Sequence, residues 1–310
     1  MSVRMKGRHL LAMKDLTSEE LRQVLDTAKA MKLEHYSGRA GRPLAGKVLG
    51  MIFQKPSTRT RVSFEAGMAQ LGGTAIFLSS NDIQLKRGET VSDTAHVLSR
   101  YCDCLMARVF AHQDVVDLAQ NSRVSVINGL SDFEHPCQIL ADLQTILEKK
   151  GTLAGLKLAY VGDGNNVCHS LMAGAAMVGM DVAVGTPKGY EPKPDAVDCA
   201  KALAKSSGSS VMITTDPARA ARGADVIYTD VWASMGQESE HDARVKIFHR
   251  YQINAALMKK CKPDVLVMHC LPAHRGEEIS EEAIDGPNSV VFDQAENRLH
   301  AQKALLVSLM

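Results

Sequence analysis

Short apolar runs alternate with helix-length amphipathic segments along nearly the whole chain. Gly46 to Phe53 is the first such run. It predicts a buried strand, because a strand covered on both faces shows continuous apolar residues rather than alternating ones. After the polar stretch Gln54 to Arg61, Val62, Ala66 and Ala69 form an apolar stripe at helical spacing that stops at Gly72-Gly73. The same alternation predicts strands at 73–78, 102–108, 124–128, 156–161, 181–187, 211–214, 224–230, 263–268 and 289–292. It predicts helices opening near Thr17, Thr90, His135, Asn166, Asp195, Asp216 and Asp293, the first running to about Met31. Strands and helices in alternation imply parallel sheets covered by helices. The pattern pauses once, at the helix end Glu148-Lys149-Lys150-Gly151, and then restarts. The expected fold is therefore α/β: two doubly wound domains, each a mostly parallel sheet flanked by helices, with the helix ending near Lys149 as the hinge.

Composition narrows the class. A chain of 310 residues is long enough for two cores. A formal net charge of +1 gives no global attraction to nucleic acid or anionic lipid, so any anionic ligand must be bound locally. No apolar run approaches the roughly 20 residues that span a bilayer. The basic start, Met1 to Lys6, is followed by a segment broken by Lys14 and Asp15, a poor signal peptide. Seven cysteines, an odd number without regular spacing, suggest free thiols in a reducing compartment, hence a cytoplasmic protein.

Candidate chemistry begins at Gln54-Lys55-Pro56-Ser57-Thr58-Arg59-Thr60-Arg61, a strand-to-helix turn. The first turn of a helix offers backbone N–H groups and the positive end of its dipole, which suits an anion. Arg59 adds a planar fork of donors matched to phosphate. The Walker A spacing is absent, and an ordinary capped helix with surface arginines fits the same eight residues. Gly162-Asp163-Gly164-Asn165-Asn166-Val167 invites a dinucleotide reading, but the third glycine is Val167 and no acidic residue closes the next strand at the right distance. His135 with Cys137, Cys168 with His169, and His269 with Cys270 have none of the spacings of a structural zinc site, so no metal is expected.

Ser57-Thr58-Arg59-Thr60 resembles the carbamoyl-phosphate motif of the transcarbamoylases. Later runs are similar to that family's ornithine branch: His135-Pro136-Cys137-Gln138, Asp230-Val231-Trp232-Ala233-Ser234-Met235-Gly236, His269-Cys270-Leu271-Pro272 and Glu296-Asn297-Arg298. The resemblance extends from His9 to the last helix. It implies a carbamoyl-phosphate domain at 1–149 and an ornithine domain at 150–292, with a helix from about 293 to 310 returning to the first. It implies transfer of a carbamoyl group from carbamoyl phosphate to the side-chain amine of L-ornithine, with no required cofactor. The implied carbamoyl-phosphate residues are Ser57, Thr58, Arg59, Thr60, Gln84, Arg108, His135, Gln138, Cys270, Leu271 and Arg298. The implied ornithine residues are Asn166, Asp230, Ser234 and Met235. Arg108, His135, Asp230 and Cys270 would carry the chemistry. In the family a Gln of the loop holding Gln84 reaches the phosphate of a neighbouring subunit, which implies a trimer or an assembly of trimers; Lys86 is placed to support it. A sister enzyme acting on putrescine or acetylornithine is the nearest alternative, opposed by Ser234-Met235-Gly236 and His269-Cys270-Leu271-Pro272. A catalytically idle binding module and a dehydrogenase are the alternatives of other classes. The proton acceptor for the amine and the direction of flux stay open.

Overall fold

The computed structural model describes residues 3–80, 83–84, 88–233 and 238–310. The chain forms two compact units, Met1–Gln144 with Glu296–Met310, and Thr145–Ala295.

The first unit is built on four parallel strands: β1 (Val48–Phe53), β2 (Thr74–Ser79), β3 (Cys104–Arg108) and β4 (Ser125–Leu130), in the order β2-β1-β3-β4. Its helices are α1 (Ser18–Tyr36), α2 (Thr58–Gln70), α3 (Val91–Leu98) and α4 (His112–Gln120). Thr17 opens α1 with a capping box: its hydroxyl accepts from Glu20 N–H, and the Glu20 carboxylate accepts from Thr17 N–H. The chain leaves this unit within α5 (Pro136–Lys150) and returns within α12 (Val291–Leu309).

The second unit has five parallel strands: β5 (Lys157–Val161), β6 (Asp181–Gly185), β7 (Val211–Thr214), β8 (Val226–Thr229) and β9 (Leu266–His269), in the order β7-β6-β5-β8-β9. Between them lie α6 (Asn166–Met177), α7 (Pro194–Ser207), α8 (Pro217–Ala221), α9 (His241–Phe248) and α10 (Ala255–Met258), and α11 (Glu281–Ile284) follows β9. Ile227, Val267, Trp232, Phe248 and Ile253 are buried together in its core.

In each sheet the strand order reverses once, between β1 and β3 and between β5 and β8. In open parallel sheets, ligands bind beyond the carboxyl ends of the strands at such a reversal. Phe53 and Arg108 are register partners at the ends of β1 and β3, and Tyr160 and Tyr228 pair near the ends of β5 and β8. The topology thus fixes where each unit would gather chemistry.

Several expectations are corrected. Residues 289–292 form no strand: Ser289 makes a single bridge to Val267, and α12 begins at Val291. Three apolar residues, Val290 to Phe292, satisfy a strand or a buried helix start equally, and here Val291 is buried while Phe292 is exposed. The buried face of α2 is Thr60, Phe64, Gly67 and Met68, whereas Val62 is 54% exposed. The bulky Phe64 and Met68 outcompete the smaller stripe for the core, and Gly67 lets the Lys303 chain pass close by. β3 begins at Cys104, so Cys102 precedes the strand expected at 102–108, although both residues are buried. The helices α4, α9, α10 and α11 are additions, each of nine residues or fewer.

Gly164 shows how the glycine-bearing turn after β5 is used. A Cβ there would fall 2.2 Å from Pro192 N, so the glycine accommodates a neighbouring backbone. The N-terminus of α6 is also occupied, since the Asn165 side chain accepts from Val167 and Cys168 N–H. The glycine and the asparagine of this turn thus serve contacts within the protein.

Candidate active site

The first unit gathers cationic and polar groups at its strand-order reversal. Ser57 caps α2, its hydroxyl accepting from Thr60 N–H at 3.2 Å. Arg61 stacks on the Phe77 ring at 3.7 Å and pairs with Glu65 along the exposed side of the helix. The charge of Arg59 is felt at His135, whose pKa it helps to lower. Arg108 is buried at the end of β3. Arg298, on α12, is 2% exposed and ties three segments together: it donates to Gln138 Oε1 (2.7 Å), Thr60 Oγ1 (3.2 Å) and Gln302 Oε1 (2.9 Å). Gln138 in turn donates to Asp142.

His135 lies just before Pro136, the first residue of α5, and is almost fully buried. The Ser131 N–H donates to the Glu134 carbonyl, and Asn128 donates to the Leu11 carbonyl, which fixes the loop that aims the imidazole. Burial holds the His135 pKa well below its usual value, and the charges of Arg298, Arg108 and Arg59 add to the effect. An imidazole kept neutral beside three guanidiniums is a hydrogen-bonding group in a strongly positive setting. Such a setting suits a small dianion whose carbonyl must be polarised.

This arrangement has a consequence for stability. In the unfolded chain a histidine takes up a proton near pH 6.5. Folded His135 does so only well below that, and His300, buried near Lys32 and Lys303, is lowered to about 4. The unfolded state therefore binds more protons as pH falls below 6.5, so the stabilisation present above that pH is lost toward the folded pKa values. Between pH 7.5 and 5.5 the loss should be about 1.4 kcal/mol per histidine. Urea midpoints measured at the two pH values should show it, and His300→Gln should reduce the slope.

Gln84 stands apart. Its side chain is exposed, and among the described residues no hydrogen bond or ion pair joins it to this cluster; only its carbonyl is engaged, by Glu89 N–H. Lys86 lies outside the described residues.

The second unit gathers acidic, amide and thiol groups. Asp230 follows β8 directly and is 7% exposed. Its Oδ1 accepts from Val231 N–H (2.8 Å) and from the Cys270 thiol (2.9 Å), and its Oδ2 accepts from Asn165 Nδ2 (2.7 Å). The Tyr160 hydroxyl donates to Asn165 Oδ1. Asn166, half-buried, starts α6 beside this group. Leu271 adopts a positive φ of 57° and is followed by a cis peptide bond to Pro272. Ser234 and Met235 lie outside the described residues.

Three features were not singled out from the sequence. Asn165 donates from Nδ2 to Asp230 Oδ2 at 2.7 Å. Arg244 donates to Trp232 O (2.8 Å) and Glu240 (2.9 Å), on either side of 234–237, and pairs with buried Asp163, whose carboxyl burial pushes up to about 6 against the pull of that guanidinium. His269 accepts Leu271 N–H on Nδ1 at 2.8 Å and meets the buried Glu278 carboxylate through Nε2 at 3.1 Å. Both its nitrogens are thus committed to holding the Cys270-Leu271 turn, although Asp230, His269 and Cys270 lie within reach of one another. The Asn165-Asn166 doublet and the His269-Cys270-Leu271-Pro272 run mark two of these places in the sequence, but not the partners that define their roles.

Two doubly wound units, one with an anion-binding cluster and one with a carboxylate–amide–thiol cluster, define an α/β enzyme of two substrates, one anionic and one cationic. The comparisons make this specific. The carbamoyl-P binding domain of aspartate/ornithine carbamoyltransferase matches residues 8–148, and the Asp/Orn binding domain matches 154–309. The chain belongs to the aspartate/ornithine carbamoyltransferase family. It is 59% identical over 310 residues to an ornithine carbamoyltransferase of Thermococcus kodakarensis, covering 100% of this chain and 98% of that one. It is similar to the same extent to one from Pyrococcus furiosus called anabolic. The solved ornithine carbamoyltransferase of Pyrococcus furiosus superposes with a TM-score of 0.97, covering 100% of this chain and 99% of that one at 59% identity. That of Gloeobacter violaceus does so at 0.89 with 49% identity, covering 99% and 100%.

Proposed function

We infer that this protein is an ornithine carbamoyltransferase, moving the carbamoyl group of carbamoyl phosphate to the side-chain amine of L-ornithine to give L-citrulline and phosphate. The observation that carries this reading is buried Arg298, which joins Gln138 to Thr60 at the capped start of α2, in a setting where its charge and those of Arg108 and Arg59 help burial hold the His135 pKa well below its usual value. Ser57, Thr58, Arg59, Thr60 and Arg298 would hold the phosphate, and Gln138 the carbamoyl amide. Arg108 and His135 would donate to the carbonyl oxygen as the tetrahedral carbon forms, at a few kcal/mol per donor. Cys270 and Leu271 lie on the turn braced by His269 and would complete the carbamoyl site.

The amine must react as a free base, which is scarce for a group of pKa about 10.4 in water. Asp230 and Cys270 would orient it as it loses its proton, and Asn166, Ser234 and Met235 would grip the amino-acid end. The test is citrulline formation from carbamoyl phosphate and L-ornithine, with putrescine, acetylornithine and aspartate assayed in parallel. Ornithine-dependent turnover alone supports the reading. Turnover with another amine would overturn the second substrate, and folded protein inactive with all four would overturn the activity.

The oligomer belongs to the same reading. Gln84 is exposed and outside the cluster, consistent with its serving a neighbouring subunit in a trimer or an assembly of trimers. Gln84→Ala and Arg59→Ala should each be nearly inactive alone, yet mixtures refolded together should regain activity, because some sites then receive intact groups from both chains. No recovery in mixed oligomers would place Gln84 outside the shared site. A cytoplasmic location fits the seven cysteines, all free thiols. No helix among the described residues is long and apolar enough to cross a membrane.

A further inference from the structure

We propose that His241, His274 and Glu277 form a binding site for a divalent transition-metal ion of the zinc type, separate from the Asp230 cluster. The His241 Nε2 lies 3.1 Å from Glu277 Oε2, and the His274 Nδ1 lies 3.6 Å from the same oxygen. One ligand atom from each residue falls within 4.8 Å of the other two. Tetrahedral bonds of roughly 2.0–2.1 Å to zinc put neighbouring ligands about 3.4 Å apart, so these spacings need only small side-chain adjustments. Two imidazoles and one carboxylate are a zinc donor set with a fourth position for water, and the side chains of His241 and His274 are open enough to admit one. Imidazole donors favour zinc, cobalt, nickel or copper over magnesium or calcium.

The site is built before any ion arrives. His274 and Glu277 share a turn closed by the Glu277 N–H donating to the His274 carbonyl. Gln252 donates to the carbonyls of Gly276 and Glu277, and the His274 N–H donates to buried Glu278. His241 is the first residue of α9, which Arg244 anchors to Asp163 and Trp232. The other nitrogen of His241, Nδ1, faces the Asp242 carboxylate at 3.4 Å, the outer partner that orients many metal-binding histidines. Asp242 and Glu277 also hold the His241 pKa above its usual value, a sign of a place that favours cations. The ligands come from two distant segments, so no spacing in the sequence marks them. An ion here would link the segment entering α9 to the turn that follows Cys270.

The test is calorimetric titration of Zn²⁺ into the full chain without an affinity tag, carrying Cys270→Ser to remove the thiol beside Asp230. One ion per chain should bind. Adding His241→Gln or His274→Gln should weaken binding at least tenfold, since even loss of an outer partner costs about that much. Zn²⁺ should raise the melting temperature of the Cys270→Ser chain and leave that of the His241→Gln form unmoved, with circular dichroism checking that each variant folds. Absence of Zn²⁺ binding by folded Cys270→Ser protein, or unchanged affinity in both glutamine variants, would overturn the proposal.

Discussion

Arg59→Ala should lower kcat/KM for carbamoyl phosphate by roughly 10²–10³-fold, the scale of a lost donor to a developing charge. Arg59 adds to the positive charge around His135, whereas Arg61 is already engaged with Phe77 and Glu65. Arg61→Ala should therefore change the same ratio by less than about threefold, in line with the small worth of exposed pairs. Loss of activity alone would not separate a ligand contact from a disturbed fold, so a second readout is needed. Arg59 is one of the charges lowering the His135 pKa. Removing it favours the protonated imidazole, and the His135 pKa should rise in a proton-resonance titration. An Arg59→Ala enzyme that keeps its kcat/KM, or a His135 titration that does not move, would show that Arg59 does not face the site.

The architecture was legible because parallel α/β folds write themselves plainly. Buried strands such as β1 and β5 are continuous apolar runs, and helix starts such as Thr17 and Ser57 carry capping side chains. The strand-order reversals were not legible, since strand order is a tertiary choice, yet they explain why Arg108 and Asp230 sit where they do. Residues 289–292 misled because a short apolar run has no period of its own. The face of α2 misled because counting apolar positions ignores their size, and Phe64 with Met68 outweighs Val62 with Ala69. The residues touching ligand in the proposed mechanism came from motif resemblance, which preserves chemistry at contact positions. Supporting groups such as Glu278, Arg244 and Asn165 came only from the structure. A carboxylate that braces a histidine, or a guanidinium that clasps two loop ends, is defined by partners distant in sequence.

Asp230→Asn should reduce kcat/KM for ornithine by roughly 10²–10⁴-fold, because a buried carboxylate facing a cationic substrate is worth about 3–5 kcal/mol when one partner is removed. The loss has two parts. The charge opposite the ammonium disappears. The acceptor pattern also fails: Asp230 receives hydrogen bonds on Oδ1 from Val231 N–H and the Cys270 thiol, and on Oδ2 from Asn165 Nδ2. An asparagine offers one acceptor and one donor, so either orientation of its amide points a donor at a donor. Cys270→Ser preserves a hydroxyl donor to Oδ1 and should cost less, which separates the charge from the hydrogen-bond network. Carbamoyl phosphate binding by Asp230→Asn, measured by calorimetry without ornithine, should stay within about threefold of the parent, since no charged group of the phosphate cluster is altered. A variant that loses both substrates equally would point to a disrupted fold. One that keeps ornithine turnover would remove Asp230 from the amine site and leave the cationic cluster around His135 as the part of the reading that stands.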